Sequence, residues 1–274
     1  PNLTDDFVEY MTGNALLLYA EADKMIAILL TTIVLALAIA RARYLLVRAV
    51  SEGVAARDLS RFFDPGVAAR IRGASMSIKA GEGELRDTAI LTVDLRGFTR
   101  LSTQLAPDAV MKLLQDYQGR ICPLIAAHGG SIDKFLGDGI LASFGAVAPS
   151  PTAAADALRA ADAVIAAATQ WSREREAADM APLQIGLAVS SGRVVFGAVG
   201  DGERLEFTVI GDAVNFAAKL EKHNKEEGTR AVTDAATYRL AEQQGYMPAE
   251  SRERRMNRTV GGVAEPVDIV ILAV

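Results

Sequence analysis

Two aspartates in this sequence stand where a carboxylate has little cover. Asp138 lies between Gly137 and Gly139 in residues 129–145, GGSIDKFLGDGILASFG. That stretch reads as two short strands joined by a tight turn. Ile132, Phe135 and Leu136 carry the first strand, and Ile140, Leu141 and Phe144 carry the second. Asp94 ends another apolar run, TAILTVDL. Lys134 precedes Asp138 by four residues, on the first strand of the hairpin. Two carboxylates, a lysine and glycine-rich turns are what a site for a metal-bound nucleotide needs. Neighbouring carboxylates resist joint ionisation, and a divalent cation removes that cost. Mg²⁺ typically takes one or two carboxylates together with the phosphate oxygens of a substrate. Either aspartate alone reads equally as a solvated turn residue; the pairing is what points to a metal. Two further features belong with them. Gly97, in LRGFT, precedes a helical turn whose free N–H groups suit a phosphate, although many strand-to-helix turns contain glycine. Asn215 and Lys219 are four apart on a predicted helix and share a face. They suit a ribose oxygen and a charged phosphate, and taken alone suit a solvated helix face as well.

The elements that must hold these residues follow from hydrophobic period. Residues 88–95 read as a buried strand. Residues 107–127 read as a helix, with Val110, Leu113, Leu114, Tyr117, Ile121, Leu124 and Ile125 on one broad face. After the hairpin, residues 151–178 form an alanine-rich helix with Leu158, Val164 and Trp171 inward. Residues 183–190 and 194–199 read as two strands around Gly192, and 205–210 as another. A helix runs from Asp212 to about His223, and the tail reads as strand, helix from Asp234, and further strands. The order β-α-β-β-α-β predicts an α+β, ferredoxin-like sheet with extra C-terminal strands. A right-handed crossover makes the first two strands parallel, which brings Asp94 and Asp138 to the same sheet edge. The return strand of the hairpin fits between them.

Composition narrows the class. The net charge is −5, and basic residues are not massed on one segment of the part beyond the apolar run, which disfavours nucleic acid as a partner. Cys122 is the single cysteine, so no intrachain disulfide can form, which fits a reducing compartment. His128 and His223 are far apart, so a metal would be held by oxygen. Residues 25–40 carry no charge and cover about 24 Å as a helix, somewhat short of a ~30 Å hydrocarbon core. Arg41, Arg43 and Arg48 follow, with Tyr44 among them. Arginine stems extend such a span by snorkelling, and the positive charge puts the following domain on the cytoplasmic side. The expected division is a membrane segment over 1–48 with a transmembrane helix at about 25–44, a linker over 49–86, and a catalytic domain over 87–274. Val47, Val50 and Val54 sit at coiled-coil spacing in the linker, and residues 79–86, KAGEGELR, read as its last boundary. The chain begins at Pro1 and reads as part of a longer protein.

Three strings, VDLRGFT, DKFLGDGILASF and FTVIGDAVNFAAKLE, resemble the motifs of class III nucleotidyl cyclases in that family's order, over about residues 58–274. RFFDPGVAARI resembles the element that precedes the cyclase domain in bacterial members. The resemblance implies that Asp94 and Asp138, with the main-chain carbonyl of Leu95, hold two Mg²⁺ or Mn²⁺ ions. Gly97, Phe98 and Thr99 then belong to the phosphate-binding turn, and Arg204 is a phosphate contact by position only. It implies that Lys134 and Thr208 read the purine, that Asn215 positions the ribose, and that Lys219 stands at the family's transition-state arginine. It also implies a head-to-tail homodimer, one subunit giving the metal acids and the other giving Lys134, Thr208, Asn215 and Lys219. Guanylyl cyclases of the family resemble one another in carrying Glu and Cys at the two purine positions, and this chain has neither. Thr208 resembles the bacterial subgroup that uses Thr or Ser. The expected activity is ATP to 3′,5′-cyclic AMP and pyrophosphate, at a membrane, with ATP, membrane lipid and a second copy as partners. Lys219 departs from the pattern, because lysine keeps the charge but loses the planar fork. That departure leaves a catalytically weak nucleotide-binding module as one alternative, and a guanylyl cyclase is the other.

Overall fold

The computed structural model describes residues 3–13, 16–60, 62, 64–73, 81–201 and 203–274. It divides into two units, Pro1–Phe62 and Phe63–Val274.

The first unit is one long helix with a short preface. Strands β1 (Leu3–Thr4) and β2 (Leu16–Leu17) pair in parallel around α1 (Phe7–Thr12), and α2 (Leu18–Ser60) follows. At 43 residues, α2 is about 65 Å long. Its apolar side chains, among them Ile26, Leu30, Ile33, Leu37 and Leu46, are exposed all round rather than along one stripe. By length and composition this helix is able to cross a membrane. Val47 and Val50 are exposed on it, while the side chain of Val54 lies outside the described residues.

The second unit starts with α3 (Pro65–Gly73). Proline suits a first helical position, and Asp64 Oδ1 accepts from Gly66 N at 2.8 Å to cap it. Arg61, Phe63 and residues 74–80, with Lys79 and Ala80 of the expected boundary, lie outside the described residues. The chain then runs β3 (Gly83–Leu95), α4 (Phe98–Ser102), α5 (Pro107–Ala127), β4 (Ser131–Leu136), β5 (Gly139–Phe144), α6 (Ala153–Ala177) and β6 (Ile185–Gly200). It closes with β7 (Leu205–Ile210), α7 (Asp212–Glu227), β8 (Ala231–Asp234), α8 (Ala235–Gln243), β9 (Arg254–Arg258) and β10 (Val267–Ala273). The sheet order is β4-β5-β3-β6-β8-β10-β9, with β7 paired to β6 as well. Its first four strands have the expected ferredoxin-like arrangement, with β5 antiparallel between β4 and β3.

Strand β3 is buried on both faces, which is why it reads as a continuous apolar run. Leu91, Val93 and Leu95 pack with Leu113, Tyr117 and Ile121 of α5 and Leu158 of α6. Ile90, on the other face, packs with Ala213 and Ala217 of α7 and Val67 of α3. Three expected boundaries are corrected. The two strands read over 183–190 and 194–199 are one strand, β6, which starts at Ile185 rather than Leu183, because β3 pairs with β6 from Gly83↔Gly197 to Leu95↔Ile185 without a break. The same pairing draws residues 83–86 into β3, five residues before the strand start read from the sequence. Helix α7 also runs one turn past His223, to Glu227, where Gly228 adopts the left-handed cap conformation at φ 66°.

Candidate active site

The strand alternation decides where Asp94 points. Thr92 shares a face of β3 with Ile90, and its hydroxyl donates to the Ala217 carbonyl of α7 at 3.3 Å. Asp94 is the next residue on that face. Its register partner on β6 is Gly186, and the carboxylate of Glu221, one turn beyond Ala217, occupies the space above that glycine. A Cβ added to Gly186 would meet Glu221 Oε1 at 2.0 Å and Arg96 Nε at 3.3 Å. Val93 pairs with Ile140, so the hairpin turn reaches Asp94 from the other side. Gly137 supplies the turn's left-handed residue at φ 69°, and a Cβ on Gly139 would stand 3.6 Å from Asp94 Oδ1. Asp138 is the residue between them.

Asp94 and Asp138 therefore meet, as the crossover argument expects. Burial pushes the Asp94 carboxyl up to about 6, and the Asp138 carboxylate beside it and then Glu221 push the same way. Glu221 is also raised, chiefly by burial, against the pull of Arg96 and of Lys225. Among the described residues no group of three or more His, Cys, Asp or Glu has metal-ligand spacing. The donor set is two hard carboxylates, half-buried and mutually repelling. That set fits an oxygen-bound divalent cation whose remaining ligands are main-chain and substrate oxygens. Leu95 ends β3 next to Asp94, and its side chain is buried in the core under α5. Gly97, at φ 76°, opens α4, and no side chain caps that helix, so the Phe98 and Thr99 amides are free of a side-chain acceptor.

Lys134 and Thr208 meet elsewhere on the same chain. The register of β4 on β5 shifts between Ile132 and Lys134, which makes Asp133 a bulge residue. A bulge lets neighbouring side chains break the strict alternation, and both Asp133 and Lys134 turn to β7. Thr208 Oγ1 donates to Asp133 Oδ2 at 2.9 Å, and Val209 N donates to Asp133 Oδ1 at 3.1 Å. The Lys134 ammonium donates to Glu206 and stands 3.6 Å from Asp133 Oδ2. Asp133 itself is nearly covered, its side chain 4% exposed. Burial pushes its carboxyl up, while Thr208 and Lys134 pull it down.

Helix α7 buries Ala213, Ala217, Leu220, Glu221 and Asn224. Asn215 and Lys219 lie on the opposite face, so their shared face is real but turns away from their own chain's acid pair. Asn215 is exposed, and Lys219 donates to the Gly262 carbonyl in the β9–β10 connection. Arg204 is exposed in the β6–β7 turn, where its amide donates to Asp201 Oδ1 at 2.8 Å. No hydrogen bond or ion pair among the described residues joins Lys134, Thr208, Asn215, Lys219 or Arg204 to Asp94 or Asp138.

Three residues in these groups escaped the sequence reading. Glu221 and Arg96 are found only through the packing of α7 over β6. Asp133 had a signal, its place directly before Lys134, but a regular strand would set the two on opposite faces, and only the bulge brings both to β7.

Residues 82–263, more than half of the chain, match the family described as adenylate and guanylate cyclase catalytic domain. Adenylate cyclase 1 of Rhizobium meliloti (strain 1021) is 33% identical over 149 residues, 54% of this chain and 22% of that protein. The adenylate cyclase of Anabaena cylindrica is 33% identical over 156 residues, 56% of this chain and 30% of that protein. The matches thus span less than a third of these relatives' length. Among solved structures, the guanylyl cyclase Cya2 is 31% identical with a TM-score of 0.60, over 69% of this chain and 92% of that one. The adenylyl cyclase CyaB from P. aeruginosa is 28% identical with a TM-score of 0.59, over 69% and 95%. A sheet of the expected order, with two aspartates brought together at its edge and a match across residues 82–263, makes this chain a member of the class III adenylyl and guanylyl cyclase family.

Proposed function

We propose that the chain is a membrane-anchored adenylyl cyclase that converts ATP to 3′,5′-cyclic AMP and pyrophosphate. The observation that carries the reading is the meeting of Asp94 and Asp138, a half-buried carboxylate pair that a divalent cation would relieve. Those two side chains, with the Leu95 carbonyl, would hold two Mg²⁺ or Mn²⁺ ions. Bound there, such ions supply Lewis acidity that lowers the pKa of the ribose 3′-hydroxyl and balances triphosphate charge. The rest is the work of side chains and amides. Asn215 holds the ribose so that its 3′-oxygen faces the α-phosphorus. The O3′–Pα bond forms as the bond to the bridging oxygen breaks, and pyrophosphate leaves with the electron pair while the hydroxyl proton passes to solvent. The Lys219 ammonium meets the charge that grows on the departing group. The Phe98 and Thr99 amides beyond Gly97, with Arg204, bind phosphate oxygens.

Adenine is favoured by the purine pair. Adenine N1 accepts a hydrogen bond and guanine N1 donates one, and lysine has only donors to offer. Glu206 takes one of the three donors of Lys134, and the others are left for a ligand. The outward face of Asn215 and Lys219 supports a head-to-tail homodimer in which these residues complete a partner's acid pair. So do the exposed apolar residues Phe135, Leu136, Val195, Val199 and Ile210 on the hairpins. On this reading residues 1–48 anchor the chain in the plasma or inner membrane, the segment from 49 up to β3 links, and the domain from β3 onward catalyses on the cytoplasmic side, with no nucleic-acid partner.

The test is production of cyclic nucleotide from ATP, with Mn²⁺ or Mg²⁺, beside GTP. Cyclic AMP from ATP is expected, and a hundredfold loss or more, of the order known for lost charge stabilisation, in Asp94→Ala and Asp138→Ala. Appreciable turnover in either folded variant would remove the metal assignment. The likeness to the guanylyl cyclase Cya2 favours a second reading, which a preference for GTP would establish. No turnover with either nucleotide would favour a binding module, the reading that Lys219 raises.

A further inference from the structure

We propose that Asp133 sets the nucleotide preference of this enzyme by fixing which way the Thr208 hydroxyl presents itself. The inference rests on the reading of Lys134 and Thr208 as purine contacts, and adds to it a residue that touches no purine.

A threonine hydroxyl has one proton and two lone-pair positions, and so can serve as donor or acceptor. Alone it cannot tell the amino group at C6 of adenine, a donor, from the oxygen at C6 of guanine, an acceptor. In this fold the ambiguity is removed. The Thr208 proton is committed to Asp133 Oδ2 at 2.9 Å. The other carboxylate oxygen is committed to the Val209 amide at 3.1 Å. An ionised carboxylate only accepts, so it cannot hand a proton back. Lys134, 3.6 Å away, keeps the ionised form in place. With 4% of its side chain exposed, Asp133 has little water to trade these partners for. The Thr208 oxygen is left with lone pairs alone, which match adenine and oppose guanine. The bulge at Asp133 is what makes the arrangement possible, because a regular strand would point Asp133 and Lys134 to opposite faces.

Asp133→Asn reverses the polarity without changing the shape. The Val209 amide is a fixed donor, so it holds the new amide's oxygen. The amide NH₂ then occupies the place of Oδ2 and donates to Thr208. The hydroxyl proton is released to face the purine, where it suits a C6 oxygen. The experiment measures kcat/KM for ATP and for GTP with Mn²⁺, and the affinity for each nucleotide at equilibrium wherever turnover is too low to read. The ATP-to-GTP ratio of Asp133→Asn is expected to fall about tenfold or more, the equivalent of one misplaced hydrogen bond. Thr208→Ser keeps the ratio of the parent. Thr208→Val lowers it, and adding Asp133→Asn to Thr208→Val lowers it no further. A folded Asp133→Asn chain that loses both nucleotides equally, or neither, overturns the orienting role while a shifted ratio in Thr208→Val still upholds the purine contact. An unshifted ratio in Thr208→Val overturns both.

Discussion

At the scale of the residue, the carboxyl of Asp94 does the telling. It is pushed up to about 6 by burial, by Asp138 and by Glu221. A carboxyl raised from its unfolded value near 3.8 weakens the folded state as pH rises through that window, because the unfolded chain gives up its proton first. The penalty is complete above about pH 6 and absent below about pH 4. After discounting for solvent at a half-buried group, its size is of order 1 kcal/mol. Two outcomes follow for thermal unfolding at pH 7.5. In chelator, Asp94→Asn is expected to melt a few degrees above the parent, and the difference vanishes at pH 4. Adding Mn²⁺ raises the melting temperature of the parent and leaves that of Asp94→Asn nearly unmoved, by mass action on the folded state. A parent that gains nothing from Mn²⁺ would show that the two carboxylates do not form a cation site.

At the scale of the element, the long pairing of β3 with β6 carries both halves of the site. Its far end closes at Gly83↔Gly197, and Gly197 is at the same time the register partner of Thr208 on β7. A Cβ on Gly197 would lie 2.2 Å from the Glu82 carbonyl oxygen and 2.5 Å from the Gly83 Cα, so backbone has to move. Gly197→Ala is therefore expected to cost about 1–3 kcal/mol and to impair ATP use while the Mn²⁺ response of the acid pair survives. Gly119→Ala, in the interior of α5 with nothing within 4 Å, is the contrast, expected to stabilise by up to about 1 kcal/mol. Chemical denaturation of both variants reads the difference, and equal effects would dismiss the close-approach argument. The same strand pair marks where the sequence could and could not be read. Asp94 and Asp138 were legible because crossover handedness is a rule of chain topology, independent of detail. The unity of β6 was not, since Ser190, Ser191 and Gly192 are local turn signals that the thirteen-residue partner β3 overrides. The role of Asp133 was not either, because a bulge is set by the neighbouring strand and leaves no mark on alternation. Asn215 and Lys219 were legible as a pair on one face, but which way that face turns depends on which residues of α7 meet the sheet.

At the scale of the whole molecule, the proposed site is divided by the fold itself. Asp94 lies beneath α7, and Asn215 and Lys219 lie on that helix's other side. A helix is about 10 Å across with its side chains, so no rotamer change brings Lys219 round to its own chain's acids. In the proposed homodimer, a second copy related by a two-fold axis would supply the missing half twice over. This division makes a prediction that a single-chain site does not. Asp94→Ala keeps an intact Asn215–Lys219 face, and Lys219→Ala keeps an intact acid pair. Each alone is expected to be inactive or nearly so. Co-expressed in equal amounts they pair at random, so about half the dimers carry one of each, and one of the two sites in such a dimer is whole. Cyclic AMP formation is then expected to return to about a quarter of the parental rate per chain. Co-expression of Asp94→Ala with Asp138→Ala restores nothing, because both lesions fall on the same half and every site lacks one acid. No recovery in the first pairing, with both chains folded and associated, would put the whole site within one chain and return the outward face of α7 to solvent; recovery in the second would mean that the two acids of a site come from different chains, and would overturn the division drawn here.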